Sequence, residues 1–91
     1  MTSKKSKDNE EKLVKSISEL QTVMDSNITP RNIRRIAKEA ITMLQDSTLS
    51  LGVRAANAIS LLDEISQDPN MPSFARVTIW SAVSTLESIR D

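Results

Sequence analysis

The segment Ile28–Ala40 sets four cations within eight positions: Arg31, Arg34, Arg35 and Lys38. On a helix turning ~100° per residue they share one side, opposite an apolar stripe. They also crowd the start of that helix, where the backbone dipole disfavours each cation by roughly 0.3 kcal/mol or more. Two chemistries would offset this repulsion. Free N–H groups and guanidinium groups can converge on phosphate, which would make the cluster a weak RNA, DNA or other anion site. Alternatively water solvates the cluster, helped by Glu39 four residues after Arg35 and by acids of the second half such as Asp63 or Glu64. A formal net charge of +0, with 12 Lys and Arg balanced by 12 Asp and Glu, argues against a general nucleic-acid binder, and no aromatic stacking platform lies nearby. Cations predominate up to residue 45 and anions beyond it, so the halves can attract within one molecule or between copies.

The residue types that carry catalysis are scarce. With His 0 and Cys 0 there is no Ser-His or Cys-His nucleophile system, and a metal site would lack its commonest nitrogen and sulfur ligands. Asp63 and Glu64 are adjacent, which on a helix points them ~100° apart rather than at one substrate atom. A lone glycine, Gly52, cannot build a glycine-rich phosphate loop. The expectation is a protein that is not an enzyme, with no cofactor, no metal and no small-molecule substrate.

Bulky apolar side chains offer a different chemistry. Phe74, Val77 and Trp80 fall outside the helical stripe formed by Ile79, Val83 and Leu86. Either a neighbouring helix covers them, wedging Trp80 at a corner, or they form a contact surface for another chain, since Trp is enriched where partners bind. The covered corner is the plainer expectation; among functions, contact with a protein partner or a homodimer through this side is preferred to anion binding at the second helix. Arg54 and Arg76, placed near Asp63, Glu64 and Asp68, are expected to form structural ion pairs tying the last two helices and their turn together.

Four amphipathic segments would position these residues. Leu13, Ile17, Leu20 and Met24 mark the first, opened by an Asp8/Glu11 capping pair. Ile33, Ile36, Ala37, Ala40, Ile41 and Leu44 mark the second, with Thr29 as N-cap and Pro30 at the first helical position. Leu51, Ala55, Ala58, Ile59, Leu62 and Ile65 mark the third, capped by Ser47 or Ser50. Ala75, Ile79, Ala82, Val83, Leu86 and Ile89 mark the fourth, entered through Pro72. Short polar links make consecutive helices antiparallel neighbours. The predicted fold is therefore all-α, an up-and-down four-helix bundle over residues 10–91, with residues 1–9 a disordered basic tail. Nothing approaches the ~20 apolar residues of a membrane span, and no signal-peptide core is present, so a cytoplasmic protein is expected.

A shift of 42 residues superposes Ile17, Leu20, Pro30, Arg34, Ala40 and Leu44 on Ile59, Leu62, Pro72, Arg76, Ala82 and Leu86. The bundle is thus read as two related helical hairpins, with a HEAT-like fragment as the lesser alternative.

The stretches PRNIRRIAKEA (Pro30–Ala40), VRAANAISLLDEISQDPNMP (Val53–Pro72) and ARVTIW with STLESIR (Ala75–Arg90) resemble uncharacterised protein family 0147. These are short archaeal helical proteins of unknown function. The resemblance covers roughly two thirds of the chain and implies a four-helix bundle of archaeal, cytosolic origin. It implies no activity and carries no functional residues over.

Overall fold

The computed structural model describes residues 3–90, and side chains from Lys7 onward. Its elements are α1 (Ser3–Asp25), α2 (Arg31–Leu44), α3 (Leu51–Ile65) and α4 (Ser73–Glu87), with no strand among the described residues. Contacts join α1 to α2, α2 to α3, α3 to α4 and α4 back to α1, closing a ring. Stacked HEAT-like hairpins would instead pair first helix with first and second with second. The ring makes this a bundle. α1 and α4 run antiparallel, because polar links climb one helix as they descend the other. Asn9 donates to the Arg90 carbonyl, Lys12 to the Ser88 carbonyl, Lys15 to Thr85 Oγ1, and Glu19 accepts from Ser81.

One interior serves all four helices. Leu20, Val23, Ile33, Leu44, Leu62 and Leu86 are essentially without solvent exposure, and Ala37, Ala40, Ala55, Ala58, Ala75 and Ala82 let the helices approach between them. Burial of this kind contributes about 25 cal/mol per Å² of apolar surface, which makes the aliphatic seams the main stabilising element. The buried polar residues of α1 are Asn9 and Ser16; the Ser16 hydroxyl donates to the Lys12 carbonyl at 2.8 Å and the Asn9 amide to the Arg90 carbonyl.

The 42-residue repeat is visible in three dimensions. Leu20 and Leu62, Ala40 and Ala82, Leu44 and Leu86 are buried pairs. Pro30 and Pro72 precede α2 and α4 with nearly the same backbone, φ −57°, ψ 151° and φ −60°, ψ 149°.

Three local expectations need correction. α1 begins at Ser3, so most of the stretch read as a tail is helical; Met1 and Thr2 lie outside the described residues. No glycine or proline interrupts Ser3–Asp25, and buried Asn9 pins this turn to the end of the chain through a 2.6 Å bond. The Lys and Glu residues here are good helix formers, so the helix can run past its outermost apolar position. Asp8 is consequently inside α1 and does not cap it. At α2 the N-cap is Pro30, not Thr29, with no side-chain cap bond. Thr29 is 2% exposed and its hydroxyl has no hydrogen-bond partner among the described residues. Its repeat counterpart, Met71, is also buried, so the position serves packing rather than capping. Of the two serines weighed for α3, Ser50 is the cap, accepting from the Val53 N–H at 3.3 Å.

Candidate functional site

Arg54 and Arg76 do not make the expected ion pairs with Asp63, Glu64 or Asp68. Each guanidinium reaches back to the carbonyls that end the preceding helix or lie in the turn after it. Arg54 donates to the Leu49 carbonyl at 2.8 Å and the Leu44 carbonyl at 3.4 Å. Arg76 donates to the Ser66 carbonyl at 2.7 Å and the Asp68 carbonyl at 3.2 Å. The last carbonyls of a helix have no intrahelical donor and carry partial negative charge, and the forked guanidinium satisfies two at once. The structural role stands on these bonds, with backbone oxygens in place of carboxylates. Among the described residues the ion pair is Lys15–Glu19, at 3.5 Å along α1.

Asp68 has other work. Its carboxylate accepts the Asn70 N–H and the Asn32 side-chain amide, each at 2.8 Å, which ties the start of α2 to the α3–α4 turn. These hydrogen bonds hold its pKa below the usual 3.8, helped by nearby Arg76. Asp46 is lowered in the same way by its bonds to the Thr48 hydroxyl and N–H. Asp63 and Glu64 are exposed. Among the described residues no group of three or more acids converges as a metal cage.

The α2 cations Arg31, Arg34, Arg35 and Lys38 are all exposed. None of their side chains has a hydrogen bond or ion pair among the described residues, so Glu39, Asp63 and Glu64 do not neutralise them. The cluster faces solvent as a basic patch.

On α4, Trp80 is 71% exposed and Val77 69%. Trp80 is therefore not wedged at a corner. One turn apart, the two form an apolar ridge on the outside of the bundle. Phe74 differs: it is half-buried and packs against the core, so it supports the ridge from below instead of joining it. Beside Trp80 runs a groove of ≈ 450 Å³ between α3 and α4, walled by Leu62, Asp63 and Gln67 on one side and by Arg76, Val83 and Glu87 on the other. The opening follows from packing, because the α3–α4 seam makes the least contact of the four. Small residues contribute, since Gly52, Ala55 and Ala56 line a further opening along the same seam. Sequence reasoning did not single out Glu87 or this groove. The available signal was the set of small residues Gly52, Ala55 and Ala56 near the start of α3.

The two candidate surfaces occupy equivalent places in the repeat. Arg34, Arg35 and Lys38 of the first hairpin correspond to Arg76, Val77 and Trp80 of the second. One geometry thus presents charge on α2 and bulk on α4, and only the second lies beside the loosest seam.

No helix among the described residues is long and apolar enough to cross a membrane. The family model described as an uncharacterised protein family, UPF0147, matches residues 1–89. The UPF0147 protein of Metallosphaera sedula is 60% identical over 84 residues, spanning 92% of this chain and 94% of that one. The corresponding protein of Sulfurisphaera tokodaii is 56% identical over the same shares. A solved structure of a UPF0147 protein from Thermoplasma acidophilum superposes with a TM-score of 0.86 at 26% identity, over 92% of this chain and 99% of that one. The unknown function protein MMP1188 superposes with a TM-score of 0.85 at 44% identity, over 88% and 91%. None of these descriptions carries an activity. With the fold, the length and the family model in agreement, the chain belongs to the uncharacterised protein family UPF0147.

Proposed function

We propose that this protein is a non-enzymatic interaction module of the cytoplasm, and that it contacts a protein partner through the Val77/Trp80 ridge and the adjoining α3–α4 groove. The observation that carries the reading is the exposure of both side chains, 69% and 71%, one turn apart on α4 and beside a groove, whereas the other exposed large apolar residues, Val14, Ile28 and Val53, each lie on a different segment. An indole left in water while alanines fill the core adds little to folding, whereas at an interface it supplies the large apolar contact typical of binding hot spots. The test is affinity purification from the native cell with wild type and Trp80→Ala, read for both protein and RNA. A protein lost only with Trp80→Ala supports the reading. An unchanged set of captured proteins refutes it.

A second reading rests on the unneutralised α2 cations. Arg31, Arg34, Arg35 and Lys38 would hold a phosphate backbone weakly, with no aromatic platform to stack bases. Such binding should weaken steeply with salt and disappear when Arg31, Arg34 and Arg35 are changed to Glu. Contact through Trp80 should survive those substitutions and fall far less steeply with salt.

A further inference from the structure

From the charge pattern of the α3–α4 groove we infer that the partner for this face is a second copy of the chain, packed α4 against α4 about a two-fold axis; the inference rests on the contact reading above. Arg76, Trp80 and Glu87 line one groove from the same helix, with the cation toward its start and the anion toward its end. Trp80 stands between them. In an antiparallel pairing centred near Ser81 and Ala82, Arg76 of each copy meets Glu87 of the other, and the two indoles cover each other's groove. A two-fold contact must be self-complementary, and a strip with opposite charges at its ends and an apolar centre meets that condition. A parallel pairing would set like charges together and is disfavoured.

Asp63, on the α3 wall, is the remaining charged group of the groove. Its carboxylate opposes an incoming Glu87, so the pairing requires the attraction of Arg76 to exceed this repulsion. The guanidinium of Arg76 is already fixed by the Ser66 and Asp68 carbonyls, so little side-chain freedom is lost when a carboxylate docks on it. The accessible surface of the chain is 5637 Å². An ordinary interface of ~800 Å² per partner would take about one seventh of it.

The experiment is sedimentation equilibrium of the full chain from low micromolar to millimolar concentration, with circular dichroism to confirm folding. Wild type should pass from monomer to dimer, and Trp80→Ala should stay monomeric. Glu87→Arg, which sets two cations together at each end, should weaken association about tenfold or more, with Glu87→Gln in between. Arg76→Glu mixed with Glu87→Arg should recover a mixed dimer. If Arg76→Glu does not fold, the two Glu87 variants decide the matter. A wild type monomeric at millimolar concentration, or a Glu87→Arg chain that associates as tightly as wild type, overturns the proposal. If that monomer still captures a cellular protein in a Trp80-dependent way, the second copy alone falls. If capture is also indifferent to Trp80, the contact reading falls with it.

Discussion

Thr29 provides a sharp energetic test, because its side chain does not do what its position promised. It is 2% exposed, and its Oγ1 has no hydrogen-bond partner among the described residues. Its own N–H is satisfied, donating to the Ser26 carbonyl at 3.3 Å. A buried hydroxyl left unpaired costs ~1–3 kcal/mol of desolvation, whereas a methyl group of the same shape costs none. Thr29→Val keeps the branched side chain and removes the oxygen, so it should stabilise the bundle by about 1–2 kcal/mol. For a domain of this size each kcal/mol raises Tm by roughly 4–8 °C. Thr29→Ser is the opposite control, since it keeps the hydroxyl and loses the methyl, and should destabilise by about 1 kcal/mol. Urea unfolding followed by circular dichroism measures all three chains. It must be run at one dilute protein concentration, because association would raise apparent stability. Destabilisation of Thr29→Val by 1 kcal/mol or more would refute the reasoning. The hydroxyl would then be capping α2 after all.

Two further perturbations follow from the turns. Arg76→Met leaves the Ser66 and Asp68 carbonyls without their guanidinium and should cost about 1–3 kcal/mol in urea unfolding. Arg76→Lys should recover only part, since one ammonium does not reproduce the fork. The acid limb of stability should also depend on Asp46 and Asp68. Both have pKa values lowered in the folded chain by hydrogen bonds, so their stabilisation is present above the unfolded value near 3.8 and is lost as pH falls below it. Asp46→Asn and Asp68→Asn should each flatten the fall in stability below pH ~4, and an unchanged acid limb would contradict that assignment.

The seams were legible in the sequence because an aliphatic core leaves a strong helical period. Leu20, Ile33, Leu62 and Leu86 all fall on the expected stripes and all are buried. The repeat was legible for the same reason, strengthened by the paired prolines. Helix ends were harder to place. α1 extends to Ser3 because a tertiary bond from Asn9 holds a segment that has no apolar period. At α2, burial of Thr29 overrode its preference for capping. The arginines were found, but their partners were missed, because a one-dimensional reading weighs carboxylates and overlooks the carbonyls at helix ends. For the candidate site, Trp80 and Val77 were recognisable as residues off the stripe. The groove beside them was not, because it depends on how closely α3 approaches α4, and that distance is set by packing around the whole ring.

The central claim is that Trp80 stands in water on a folded bundle until another chain covers it. The chain has Trp 1, so indole fluorescence reports this site alone. Acrylamide quenching of natively folded protein, followed across a dilution series, tests the claim most directly. A fully quenchable, red-shifted indole at the lowest concentration, becoming shielded as protein concentration rises, is the expected result. An indole already shielded in the dilute monomer would contradict it.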